Sequence, residues 1–238
     1  MGWRFGKNYY FKDFGNFIIK FRHLSTPSII EIFEYNIYDV GIDGDVIDVG
    51  SNIGDSAVYF ALRGARRVVA LEPVRTAYLE SLVNLKLNGI ANKVIVLNRA
   101  LSNTYKVIKI PRMGLISSGH YTDYGNNRLV MRLINKLLPC DLGHQYVETI
   151  TLKDVFDLID EPYLLKFDCE GCEYDVILND YEYVRLFKKL IIEYHSGITG
   201  LSKDVLINRL SKDFKCYIDP GLSMNIEEIG LIKCIRKN

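Results

Sequence analysis

The run Asp45-Val46-Ile47-Asp48-Val49-Gly50-Ser51-Asn52-Ile53-Gly54-Asp55 constrains this chain most, because an apolar strand breaks there into a glycine-rich turn that opens a helix. Gly50 and Gly54 supply the bare backbone and the dihedral freedom that close approach to a ligand requires. Eighteen positions after Gly54, Glu72 closes a second apolar run, where a carboxylate can accept hydrogen bonds from a ribose diol. A dinucleotide fingerprint, G-x-G-x-x-G, needs glycine at 50, 52 and 55. The chain has Gly50, Asn52 and Asp55, so that cofactor class is disfavoured.

The G-x-N-x-G that is present resembles the first motif of class I S-adenosylmethionine methyltransferases. That cofactor has no pyrophosphate, and the turn cradles its amino-acid and ribose portions instead. Length agrees with this: 238 residues suit one α/β domain with a sizeable core. Thirty Lys+Arg against 29 Asp+Glu give no global field to hold nucleic acid. No apolar run reaches the 18 or so residues of a membrane span. Met1-Gly2-Trp3-Arg4-Phe5-Gly6 lacks the pattern of a signal peptide, so a cytoplasmic address is expected. Cys140, Cys169, Cys172, Cys216 and Cys234 are odd in number and read as reduced, small buried hydrophobes. Cys169-x-x-Cys172 lacks a second pair, and its carboxylate neighbours disfavour a thiolate for redox or zinc chemistry.

Along the chain, the first 22 residues read as an aromatic-rich hairpin, and Thr26-Pro27 as the N-cap and first position of a helix to about Tyr35. Strands follow at 45–49, 67–71 and 93–97, separated by helices over about 54–63 and 74–87. The second helix carries an apolar stripe of Tyr78, Leu82 and Leu85, with Leu79 and Val83 beside it. Further strands are expected at 106–110, 147–151, 163–167, 189–194, 215–218 and 230–235. Apolar runs between amphipathic helices indicate a mostly parallel sheet covered on both faces. The whole of 1–238 reads as a single domain: an N-terminal extension over 1–41 and a Rossmann-like core over 42–238. Residues 111–146 interrupt the core as an insertion, with a Gly/Ser loop holding His120 and a basic amphipathic helix near 127–138. That helix is expected to pack as a lid, with membrane-surface contact as its weaker alternative.

Leu164-Leu165-Lys166-Phe167 ends in Asp168-Cys169-Glu170-Gly171-Cys172-Glu173. Ligands in an open parallel sheet gather outside the carboxyl ends of the strands, which puts Asp168 where an acceptor meets the cofactor. Glu170 and Glu173 also fit the first turn of a helix, where acids oppose the dipole favourably. The strand Leu190-Ile191-Ile192-Glu193-Tyr194-His195 sets Glu193 and His195 on one face. His195 is there a candidate general base, half-ionised near neutral pH, or else a structural partner. His23 and His144 read as surface residues. Asp168, Glu170 and Glu173 could also hold a divalent cation, but a metal-free site is expected.

These segments, with Ala70-Leu71-Glu72-Pro73, Asn84-Leu85-Lys86-Leu87-Asn88-Gly89, Asn98-Arg99-Ala100-Leu101 and Ile192-Glu193-Tyr194-His195, resemble the FkbM family of S-adenosylmethionine-dependent methyltransferases. The resemblance covers roughly residues 42–198, and D-x-E-G-x-E is its most specific element. It implies a class I fold with a seven-stranded sheet and O-methylation of a hydroxyl on a sugar, glycan or secondary metabolite. By the same resemblance Gly50, Asn52 and Gly54 line the methionine end of the cofactor and Glu72 holds the ribose hydroxyls, with Asp48, Ser51, Pro73 and Asp168 also expected among the cofactor-binding residues. Arg99 and Ala100 border the adenine, and Asp168, Glu170 and His195 serve the chemistry. Arg99 stands where many such enzymes have an acid, so a backbone contact to the base is expected. The rivals are an RNA or other N-methyltransferase, which lacks support because no N/D-P-P-Y/F element follows the fourth strand, and a non-catalytic cofactor- or partner-binding module.

Overall fold

The computed structural model describes residues 2–23, 27–111, 143–219 and 225–237. The extension holds three short strands, β1 (Arg4–Phe5), β2 (Tyr10–Asp13) and β3 (Ile18–Phe21), followed by α1 (Pro27–Phe33). The strand–helix alternation then runs β4 (Asp45–Val49), α2 (Asp55–Leu62), β5 (Val68–Leu71), α3 (Arg75–Leu87) and β6 (Val94–Leu97). Next come β7 (Ala100–Leu101), β8 (Val107–Pro111), β9 (His144–Ile150) and α4 (Leu152–Phe156). The second half continues with β10 (Pro162–Phe167), α5 (Cys172–Asn179), α6 (Tyr181–Val184), β11 (Lys189–His195), α7 (Ser196–Thr199), α8 (Lys203–Leu210), β12 (Phe214–Asp219) and β13 (Ile229–Arg236).

Seven strands form the main sheet in the order β12-β13-β11-β10-β4-β5-β6. The pairings from β11 to β6 are parallel, and β13 lies antiparallel between β11 and β12. The α/β fold class expected for class I methyltransferases is therefore present. Strands β4 and β5 are buried along their whole length, which is why they read as unbroken apolar runs rather than alternating ones. Successive residues still divide between the faces. Val46, Leu164 and Ile191 join one core with α2 and the extension, while Ile47, Leu165, Leu190 and Ile192 join the other with α5 and α8. Chain order reverses between β4 and β10, so the crevice of the doubly wound sheet opens at the carboxyl ends of these two strands.

Several expectations change. The N-terminal hairpin is a three-stranded antiparallel sheet, β1-β2-β3. The strands expected at 106–110 and 147–151 leave the main sheet and pair with each other and with β7. The buried face of α3 is Ala77, Glu80, Ser81, Asn84 and Leu85, whereas Leu79 is exposed. The cause is the extension: Arg22 and His23 engage the Glu80 carboxylate, and Asn84 and Asn88 accept from the backbone of Arg22 and Lys20. His23 stays partly exposed at the surface, as expected, and also docks onto Glu80. Of the cysteines expected reduced, the four among the described residues are paired: Cys169 is bonded to Cys172 and Cys216 to Cys234. Each pair is brought together by local geometry, one across a single turn and the other across the β12–β13 ladder. The expectations for Thr26, His120, Cys140 and the helix at 127–138 lie outside the described residues. Among the described residues no helix is long and apolar enough to cross a membrane.

Candidate active site

The turn after β4 wraps tightly against its neighbours. Gly50 (φ 77°) and Ser51 both donate their backbone N–H to Leu71 O at 3.0 Å. A Cβ on Gly50 would stand 1.7 Å from the Asp168 carbonyl oxygen, so the turn after β10 leaves no room for a side chain there. Gly54 (φ 83°) caps α2, and a Cβ there would meet Ser81 on α3 at 2.9 Å. Between them Asn52 adopts a left-handed conformation (φ 47°) and points its N–H at Glu72 Oε2, 2.8 Å away.

Glu72 thereby ties two strand-end turns together. Its other oxygen accepts from Val74 N at 2.7 Å, and the residue is buried. Burial pushes its carboxyl up to about 8, against the two backbone donors that favour the charged form. Asn98 holds the next turn by donating to the carbonyls of Glu72 and Pro73. Ser51 Oγ is buried with no hydrogen-bond partner among the described residues, which leaves a hydroxyl to satisfy in the same cradle. A cradle of this kind, with two glycines, an orphan hydroxyl and a buried acid at the next strand tip, fits the donor set of S-adenosylmethionine. Arg99 turns away from it and pairs with Glu148 on β9 at 2.8 Å, while Ala100 is buried in β7 beside Val74 and Ala77. Of the expected adenine border, then, the Arg99 side chain is engaged elsewhere.

At the other end of the crevice, the centre is a residue the sequence reading passed over. Lys166 lies in β10, 1% exposed, and its Nζ reaches Gly50 O at 2.7 Å, Asp48 Oδ1 at 3.2 Å and Asp168 Oδ2 at 3.5 Å. Burial alone would lower its pKa, but the charges of Asp48 and Asp168 outweigh that and raise it. Asp48 faces this ammonium and Ser56 Oγ (2.7 Å) rather than open space, so it positions the site from beneath. Asp168 keeps about a third of its side chain exposed at the strand tip. Tyr38, from the extension, lies under Lys166 with its ring 5.7 Å from Nζ. Burial and then the Asp168 charge raise the pKa of both Tyr38 and Glu31, since the extension lies near Asp168.

His195 completes the cluster. Its Nδ1 is 3.2 Å from Glu173 Oε1, which also accepts the His195 backbone N–H at 3.0 Å. The second Glu173 oxygen accepts Gly171 N, so this buried acid caps the turn and orients the imidazole together. Nε2 faces Glu170 at 3.6 Å and Glu193 at 3.7 Å. Burial would lower the imidazole pKa, but Glu173, Glu170 and Glu193 overcome it and push it up to about 10. The three acids thus favour the charged form of the His195 imidazole, where the sequence suggested a base half-ionised near neutral pH. Burial, and next the Asp168 charge, raise Glu193. Glu170 (φ 57°) and Gly171 (φ 113°) bend the turn back, and the Cys169–Cys172 bond spans it. Glu173 therefore does not face Asp168, and the three acids foreseen as an alternative cation set do not converge.

A family profile described as "Methyltransferase FkbM domain" matches residues 48–207. No curated protein matches the chain. Among solved structures, a methyltransferase FkbM from Methylobacillus flagellatus KT is 17% identical with a TM-score of 0.55. The alignment covers 88% of this chain and 48% of that one, so the chain spans about half the length of that relative. A putative rRNA-methylase from Clostridium thermocellum is 13% identical (TM-score 0.48, 86% and 93% covered). M. jannaschii TYW2 in complex with AdoMet is also 13% identical (TM-score 0.49, 98% and 90% covered).

Proposed function

Because the chain belongs to the FkbM methyltransferase family, we propose that it transfers a methyl group from S-adenosylmethionine to a hydroxyl of a sugar, glycan or secondary metabolite. Bound cofactor supplies the methyl group; this chain's residues hold, orient and deprotonate. Gly50, Ser51, Asn52 and Gly54 receive the methionine end, and Glu72 with Pro73 takes the ribose. The acceptor hydroxyl sits outside β10 and β11, between Asp168 and His195. Lys166 fixes Asp168 from below. Asp168, partly exposed at the strand tip while His195 is held by Glu173, takes the hydroxyl proton, and Glu170 stands beside it.

One observation carries this reading. Glu72 closes one side of the β4 turn, and the Asp168 backbone closes the other, with the Gly50 Cβ position only 1.7 Å from Asp168 O. Donor and acceptor sites thus share a single wall, the arrangement that positioning catalysis requires, worth on the order of 7–11 kcal/mol of barrier. The test is incubation with methyl-labelled cofactor and separate glycan, lipid, small-metabolite and RNA fractions. Label in the glycan or small-metabolite fraction is expected; label confined to RNA overturns the choice of acceptor.

A further inference from the structure

Asp168, Glu193 and His195 offer two carboxylate oxygens and one ring nitrogen that all lie within 4.8 Å of one another. We propose that these three side chains bind a divalent cation beside the acceptor hydroxyl. The inference rests on the reading above and adds a positive charge between Asp168 and the acceptor oxygen.

The imidazole makes the strongest case. Its side chain is 4% exposed, and Nε2 lies 3.6 Å and 3.7 Å from Glu170 and Glu193, outside hydrogen-bond range of both. Meanwhile Nδ1 is held by Glu173, whose carboxylate also grips the His195 backbone. A histidine whose far nitrogen is fixed by a buried carboxylate is the usual support behind a metal ligand, because it sets the tautomer and aims the other nitrogen. Here that nitrogen faces Glu170 and Glu193, and Asp168 brings an oxygen within 4.8 Å of the Glu193 and His195 ligand atoms. A cation takes the place of the proton on Nε2 while Nδ1–H stays with Glu173.

Charge points the same way. Asp168, Glu170 and Glu193 crowd one pocket, and the nearby ammonium of Lys166 is already shared with Asp48 and the Gly50 carbonyl. One ring nitrogen with two carboxylates and open positions suits manganese, magnesium or zinc, and such an ion polarises an oxygen as a Lewis acid.

Chelator-stripped protein titrated with Mn²⁺ alone, and read by the electron paramagnetic resonance of free Mn²⁺, tests the site. One site per chain is expected, and Glu193→Gln should abolish it. Glu173→Gln, which removes only the support, should weaken it about 10–100-fold. Cofactor affinity by calorimetry should stay within about twofold in both variants, which separates ligand loss from misfolding. No saturable site in the parent chain, or equal Mn²⁺ affinity in Glu193→Gln, overturns the inference. A saturable site in protein that labels no acceptor sinks the methyl-transfer reading and leaves the cation site standing. Methyl transfer at full rate after stripping, with no Mn²⁺ bound, does the reverse.

Discussion

Glu72 joins the turns after β4 and β5 through Asn52 N and Val74 N, so its carboxylate shapes the cradle between them. Glu72→Ala should weaken S-adenosylmethionine binding by about 10–100-fold, the loss of one or two hydrogen bonds to the ribose together with the tie between the Asn52 and Val74 turns. Calorimetric titration measures it, and unchanged affinity removes Glu72 from the site. Asp168→Asn keeps the size and shape of the side chain but not its charge. It should cut turnover by about 10² to 10⁴ while cofactor affinity holds. Single-turnover kinetics beside the same titration separate the two effects. Both residues were legible in the sequence because each ends an apolar strand run. Lys166 was not: a lysine inside Leu164-Leu165-Lys166-Phe167 is indistinguishable by pattern from an edge position, and only its neighbours Asp48 and Gly50 O explain why it is buried.

The strand–turn–helix units need anchors at their closed ends as well as ligands at their open ones. Asp45 starts β4, wholly buried, and accepts from Arg66 Nε (3.0 Å) and Nη2 (2.6 Å) and from the backbone N–H groups of Asp160 and Glu161. Burial alone would raise its pKa, but the hydrogen bonds from Arg66, Glu161 and Asp160 hold it below the ordinary carboxylate range. A lowered pKa means that the ionised form stabilises the fold. That contribution is present above the unfolded value near ~4 and is lost as pH falls through the folded one. Asp45→Asn should therefore cost about 1.5–3 kcal/mol at pH 7, with the gap to the parent chain narrowing in acid. Urea unfolding at pH 7 and pH 3 checks both halves. At this scale the sequence served well for β4, β5, β10 and β11, whose apolar runs follow from burial on two faces, and also located the partly exposed edge strand β6. It served badly for α3, where an apolar stripe was expected. That helix buries Glu80 and Asn84 instead, because the extension brings donors from outside the helix to meet them.

The extension is part of the whole molecule's core rather than an appendage. Ile19, Phe21, Ile29, Ile32, Phe33 and Tyr38 are all buried, packed with α2 and one face of the sheet. Burying a large apolar side chain contributes roughly 1.5–3 kcal/mol, so the set sums to on the order of 10 kcal/mol, comparable to the entire stability of a domain. Deleting residues 2–41 should leave a chain without a cooperative thermal transition in circular dichroism. A folded, cofactor-binding truncation would refute that assignment. Tyr38 also lies under Lys166, so the same segment that completes the core reaches the Lys166–Asp168 cluster.

Local pattern alone determined the parallel α/β class, the turn at 50–54 with its partner acid at 72, and the strand-tip placement of Asp168 and His195. Each of these follows from burial period and backbone freedom within a few residues. Tertiary structure decided the rest: the Lys166 hub, the Glu173–His195 pair, the two disulfides and the docking of the extension. Those depend on which distant segments meet, and the charge state of a buried group is set by the neighbours that the fold brings to it.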